Sequence, residues 1–185
     1  GIDHNAIDLD FSLKKNLSNL ADSKNKKFEN LRICVLNRPR HKKIIDEAKS
    51  LNIDVKLISD GDVSGALLVT DEKHNIDLFL GTGGGPEGVL AASALDTYGC
   101  GFQGRFIFDT DELKKRANIM GINDFDKKYK LEEIIKGDSL FCATGITKGD
   151  LVNGLELKDN KMIVNTFITH KSQNTKKIIT GEIDI

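Results

Sequence analysis

Four short polar segments hold the side chains able to do chemistry, and the richest is Gly81-Thr82-Gly83-Gly84-Gly85-Pro86-Glu87-Gly88. Glycines let backbone N–H groups approach an anion, and a helix beginning here adds favourable partial charge. Residues Gly83 to Gly88 satisfy G-x-G-x-x-G, and Asp109 follows about 20 residues later, as a dinucleotide-binding turn requires. Glu87 opposes that reading, because a carboxylate in the first helical turn would repel a pyrophosphate. A divalent cation bridging carboxylate and phosphate removes the conflict, so a metal-assisted phosphate site suits these residues better. A reading without a ligand also stands: the glycines make a tight turn and Glu87 complements the helix dipole from the solvent side.

Asp60-Gly61-Asp62 places two carboxylates one residue apart. They could bind sugar hydroxyls or a metal, or cap the helix that starts at Val63. Arg38-Pro39-Arg40 offers two guanidiniums around a rigid φ, suited to a phosphate, although loop arginines are often simply solvated. His41 beside them reads equally as a surface residue. Arg105 could reach the same site or pair with a structural carboxylate. Lys148 and Asp150, in the turn from Thr144 to Asp150, read as turn-stabilising, and His4, His74 and His170 as exposed. No Ser/His/Asp or Cys/His arrangement stands out.

The elements that must position these groups alternate. Arg32 to Leu36 reads as a buried strand ended by Asn37-Arg38-Pro39-Arg40, His41 to Leu51 as a helix, and Val55 to Ile58 as a second strand. A helix from Val63 to Val69, a strand from Ile76 to Leu80 and a helix from Val89 to Leu95 continue the pattern. Such alternation predicts an α/β fold, a layered and largely parallel sheet with flanking helices, whose ligands sit at the carboxyl ends of the strands. The loops at Asn37 to Arg40, Ser59 to Asp62 and Gly81 to Glu87 all follow strands and should line one rim. Further along, Phe102 to Phe108 reads as a strand, Asp111 to Met120 and Leu131 to Lys136 as helices, and Ser139 to Ala143 as a buried strand. The turn after that strand should join the same rim, and Met162 to Ile185 reads as a β-hairpin tail.

The 185 residues suit one domain at about 150 residues per domain. Leucines at 13, 17 and 20 mark a helix within a helical or linker segment over 1–30, with the α/β substrate- and metal-binding domain over 31–185. With 27 Lys+Arg against 28 Asp+Glu there is no global field for nucleic acid or an anionic membrane, so an anion must be held locally. No apolar run reaches a membrane span, and Gly1-Ile2-Asp3-His4 lacks the regions of a secretory signal, so a cytoplasmic location is expected. Three cysteines without C-x-x-C spacing, two of them in runs read as buried strands, make a disulfide framework or zinc site improbable.

Taken together, Asn37-Arg38-Pro39-Arg40-His41, Ile58-Ser59-Asp60-Gly61-Asp62-Val63, the glycine turn through Val89, Gln103-Gly104-Arg105 and Ala143 to Leu151 resemble the class II fructose-1,6-bisphosphatases, metal-dependent and lithium-sensitive sugar phosphatases. The resemblance covers nearly the whole chain but only the carboxyl-terminal part of the family's sequence. It implies hydrolysis of the 1-phosphate of fructose 1,6-bisphosphate to fructose 6-phosphate, a step of gluconeogenesis, with sedoheptulose 1,7-bisphosphate as a further substrate of some members. By resemblance Glu87 is a ligand of Mn²⁺ or Mg²⁺ and Gly84 contacts substrate. Asp60, Gly61 and Asp62 receive the sugar, and Arg38, Pro39 and Arg40 the distal 6-phosphate. The family's amino-terminal domain, which supplies most metal carboxylates and the groups that activate water, has no match here. The resemblance therefore implies no catalytic residue in this chain, incompetence without the amino-terminal half, and a homo-oligomer in the complete enzyme. A dinucleotide-binding domain and a non-catalytic sugar-phosphate-binding module are the competing readings.

Overall fold

The structure, a computed structural model, describes residues 5–185, so His4 and the start Gly1 to His4 lie outside it. Its centre is a three-stranded parallel sheet. Apolar, β-branched Arg32–Leu36 (β1) pairs with Asp54–Ile58 (β2) on one side and Leu78–Leu80 (β3) on the other, giving the order β2-β1-β3. Strand alternation sends Ile33 and Val35 to one face, where they pack with Leu17, Leu20 and Ala21 of Leu13–Ser23 (α1) and Ile45 and Ala48 of Lys42–Ser50 (α2). Cys34 and Phe79 face the other way, towards Asp62–Leu67 (α3), its 3₁₀ extension Leu68–Thr70, and Gly85–Asp96 (α4). Both faces are thus covered, as a parallel sheet requires, and each fully buried Leu or Ile adds about 1.5–3 kcal/mol.

This layering has a consequence for the loops. The chain leaves β1 for α2 on one face and leaves β3 for α4 on the other, although the two strands are neighbours. Adjacent strands that diverge in this way open a crevice at their carboxyl ends, the switch point where α/β sheets bind ligands.

The second half is less regular. Beyond a two-residue pairing of Gln103–Gly104 (β4) with Tyr129–Lys130 (β5) and the helices Asp111–Ile119 (α5) and Leu131–Ile134 (α6), the chain builds a separate antiparallel sheet. Its strands are Leu140–Thr144 (β6), Glu156–Lys158 (β7), Lys161–His170 (β8) and Thr175–Asp184 (β9). The expected hairpin tail is the ten-residue β8–β9 pair. The strand expected over Phe102 to Phe108 shrinks to Gln103 and Gly104. Phe106 and Phe108 instead join Phe125 and Tyr129 in an aromatic cluster with ring centroids 5.2–5.9 Å apart. The strand read as buried over Ser139 to Ala143 is β6, with only Phe141 buried, and Cys142 is exposed on it.

Two polar clamps hold the parts together. Asp96, at the end of α4, accepts from Ser139 Oγ at 2.9 Å and Lys171 Nζ at 2.8 Å, tying the antiparallel sheet to the helix layer. Asp77, just before β3, accepts from Lys24, from Lys26 at 2.6 Å and from the Arg32 N–H at 2.9 Å, fastening the end of α1 to the sheet. Burial pushes the Asp77 carboxyl up, but these three hydrogen bonds outweigh it and hold it below its ordinary 3.8. A depressed carboxyl stabilises the fold above its unfolded value and loses that contribution as pH falls through the folded one. Asp77→Asn is therefore expected to cost about 1–3 kcal/mol near neutrality. It should also flatten the loss of stability below about pH 4, measured as urea midpoints across the acid range.

Candidate functional site

The three loops after β1, β2 and β3 meet at the carboxyl edge of the parallel sheet, as their positions after parallel strands predict. Arg38 Nη2 lies 3.4 Å from Asp60 Oδ1, joining the first loop to the second. Arg40 Nε donates to the Thr82 carbonyl at 2.6 Å, joining the first to the third. A Cβ on Gly83 would collide with the Asp62 carboxylate, so the second and third loops are also in contact. Of the residues singled out in the sequence, Arg38, Pro39, Arg40, Asp60, Gly61, Asp62, Gly84 and Glu87 all lie on this rim.

Local chemistry explains each position. Pro39 opens a 3₁₀ turn, Pro39–His41, that lifts both arginines above the strand end before α2 begins. Gly61 caps α3 with φ +88, a left-handed conformation that costs a residue with a Cβ about 1–2 kcal/mol. This turn lets Asp60 accept from the Gly61 N–H at 2.9 Å while Ser64 Oγ donates to the Gly61 carbonyl, also at 2.9 Å. Gly84 is the N-cap of α4, with Pro86 and Glu87 in its first turn, where the sequence places them. The Glu87 carboxylate curls back over Gly84, into the space that a Cβ on Gly84 would occupy. Gly81 to Glu87 are exposed, so the helix N-terminus and its carboxylate face open solvent.

Other expectations are corrected. His41 is no surface residue: its ring is fully buried between β1 and the glycine turn. The sequence did contain a signal, since His41, Ile45 and Ala48 fall at helical spacing on the face of α2 that packs on the sheet. Of the two readings for Arg105 the structure shows the ion pair, with Asp10 at 2.6 Å, next to Lys128 on Asp8 and Asp10. The turn from Thr144 to Asp150 follows a strand of the other sheet and is anchored by Asp150 on Lys56 within β2 at 2.9 Å. His170, Ser172 and Asp138, which sequence reading left unconnected, cluster at the β8–β9 turn. There Ser172 and His170 both bond the same Asp138 oxygen at 2.7 Å. These bonds hold the Asp138 carboxyl down to about 2. Two groups on one oxygen give a turn clamp, not a proton relay. Burial pushes the Cys34 thiol up to about 11, so it packs as a core residue.

Chemically the rim offers guanidiniums from the first loop, carboxylates from the second, and backbone N–H groups with one carboxylate from the third. Among the described residues no three His, Cys, Asp or Glu side chains gather as a set able to hold a metal ion. Glu87 belongs to no such set among the described residues. The glycine turn follows β3, not β1, and an Arg-Pro-Arg turn stands where a dinucleotide fold places its glycines, which counts against the dinucleotide reading.

These features define an α/β domain with a polar, charge-bearing rim at the carboxyl edge of its parallel sheet, where neighbouring strands diverge. Residues 2–183 match the family model described as bacterial fructose-1,6-bisphosphatase, glpX-encoded. The D-fructose 1,6-bisphosphatase class 2/sedoheptulose 1,7-bisphosphatase of Synechocystis sp. is 34% identical over 186 residues, 94% of this chain and 54% of that protein. The protein of the same name from Microcystis aeruginosa is 38% identical over the same shares. The fructose-1,6-bisphosphatase class 2 of Haemophilus influenzae is 37% identical over 93% of this chain and 56% of its own length. The chain belongs to this bacterial class 2 family, and it spans about half the length of the curated relatives it matches.

Gly61→Ala is expected to lower stability by about 1–2 kcal/mol through the left-handed φ alone, read from urea midpoints. Gly88→Ala, at a helical position with open space around it, should be neutral or stabilising by the same measurement.

Proposed function

We propose that this chain is the substrate-positioning part of an enzyme that hydrolyses the 1-phosphate of fructose 1,6-bisphosphate, releasing fructose 6-phosphate and inorganic phosphate in the cytoplasm. The observation that carries the reading is the meeting of Arg38 and Arg40, Asp60 and Asp62, and Gly84 and Glu87 on one rim from three separate loops. Membership of a family whose relatives are named fructose-1,6-bisphosphatases supports the substrate class.

The roles follow from charge and reach. Arg38 and Arg40 hold the distal 6-phosphate by charge-assisted hydrogen bonds; Arg38 exchanges its long, weak contact with Asp60 for phosphate oxygens. Asp60, freed in that exchange, accepts from sugar hydroxyls together with Asp62. The backbone at Gly84 bears no side chain of its own to hold the ligand off. Fixing the sugar at both ends places the 1-phosphate beside Glu87 with little remaining freedom, which is how positioning lowers a barrier. Glu87 would help to hold a Mn²⁺ or Mg²⁺, with further carboxylates from the part of the enzyme outside this chain, and the ion would supply charge to activate water and stabilise the leaving oxygen.

Exposed apolar groups support a covering partner. α4 is apolar nearly all round, yet Val89 and Leu90 are each 49% exposed, and Ile178, Ile179 and Ile183 stand exposed on β9. The other half of the enzyme covers these surfaces, and the complete protein assembles as a homo-oligomer.

The test is Mn²⁺-dependent phosphate release from fructose 1,6-bisphosphate by this chain, alone and mixed with the amino-terminal half of a relative. Turnover only in the mixture is expected; turnover by the chain alone would place the essential carboxylates within it and overturn the division of roles. In the active mixture Glu87→Gln is expected to lower kcat about 100-fold, since a neutral amide binds a hard cation poorly. Arg40→Ala should raise KM about 10-fold to 100-fold with kcat little changed, as loss of a hydrogen bond to a charged group predicts. Bisphosphate binding without turnover in any mixture would favour the non-catalytic binding module.

A further inference from the structure

His41 carries a role that the chemistry of the rim leaves unassigned. Its imidazole is fully buried. Nδ1 lies 2.9 Å from the Leu36 carbonyl, at the end of β1, and Nε2 lies 2.8 Å from the Thr82 backbone nitrogen, just beyond β3. A carbonyl only accepts and a backbone N–H only donates, so the proton sits on Nδ1 and the lone pair of Nε2 receives the Thr82 N–H. The Thr82 carbonyl, 3.2 Å from Nε2, is taken by Arg40 Nε at 2.6 Å. Both groups of the Thr82 peptide are therefore committed to consecutive side chains of the first loop. Gly81 is the matching accommodation: a Cβ there would stand 3.3 Å from His41 Cε1 and 3.4 Å from Nε2.

The placement matters because β1 and β3 are the neighbours whose chains depart to opposite faces. No strand pairing continues across the crevice they open, and the ring replaces it. Thr82 stands two residues before Gly84, the N-cap of α4. We propose that His41 is a positioning residue which, through the Thr82 N–H, sets the height of the glycine-rich turn against Arg40. It thereby fixes the spacing between the end that holds the distal phosphate and the end that carries Gly84 and Glu87. The ligand in this statement rests on the function proposed above; the backbone coupling does not.

The experiment uses this chain with two substitutions that divide the ring's contacts. Gln places a carbonyl near Nε2 and can keep the bond from Thr82, whereas Asn places its amide near Nδ1 and keeps only the bond to Leu36. Amide hydrogen exchange at Thr82, with the amides of β1 and β3 as the folded reference, is expected to accelerate at least tenfold in His41→Asn and to stay within about threefold of the parent in His41→Gln. Calorimetric affinity for fructose 1,6-bisphosphate should fall at least tenfold in His41→Asn and be largely recovered in His41→Gln. Equal acceleration at Thr82 in both variants, with the strands still protected, would make the ring a mere filler and overturn the proposal. Exchange that follows the prediction while the parent chain binds no bisphosphate would uphold the coupling and overturn the proposed ligand. A long-range ¹H–¹⁵N spectrum of the parent needs no variant to fold: a protonated Nδ1 and an unprotonated Nε2 are expected, and a proton on Nε2 would overturn the coupling.

Discussion

The interaction on which the rim depends is the pair of hydrogen bonds that His41 makes across the gap between β1 and β3. A parallel sheet supplies a layer of backbone order up to its carboxyl edge and none beyond it. Where neighbouring strands send their chains to opposite faces, the exposed edge becomes a crevice, useful for a ligand but without a ladder of its own. Here a buried ring from the α2 side takes the place of the missing rungs. Arg40 reinforces the bridge, and the glycines at 81, 83 and 84 leave room for His41, Asp62 and Glu87 to close in on the backbone. The cost is borne by small residues: seven consecutive residues from Gly81 to Glu87 are exposed, and their order comes from the groups that grip them.

That arrangement sorts charge by loop. Cations stand on the loop after β1 and carboxylates on the loop after β2, with the helix N-terminus and Glu87 after β3. A ligand with phosphates at two ends and hydroxyls between them matches that order, whereas a single compact anion would leave Asp60 and Asp62 opposing it. The chain spans about half of the length of the curated relatives it matches. The antiparallel sheet is clamped to α4 through Asp96, Ser139 and Lys171, and Ile178, Ile179 and Ile183 of β9 are exposed.

Much of this was legible in the sequence because the parallel half follows local rules. Arg32 to Leu36 is a run of apolar, β-branched residues stopped by a proline-containing turn, and it is β1 residue for residue. The meeting of the three loops followed from strand and helix alternation without any knowledge of contacts. What stayed hidden depends on partners distant in sequence. Asp138 and His170 lie 32 residues apart, and Arg105 finds Asp10 across 95. Phe102 to Phe108 has the composition of a strand, yet Phe106 and Phe108 set their rings against Tyr129 and Phe125, partners about 20 residues away that local composition does not announce. β6 looked like one more buried strand because apolar content alone does not say which face is covered. His41 was missed for a different reason: a polar residue in a polar motif reads as solvated unless its helical register with Ile45 and Ala48 is followed.

The most direct test of the central claim is a titration of the ¹⁵N-labelled chain with fructose 1,6-bisphosphate, followed by amide chemical shifts. The account predicts saturable shifts concentrated at residues 37–41, 59–62 and 81–87, with the antiparallel sheet unaffected. Shifts confined to β8 and β9, or none at millimolar ligand, would contradict it.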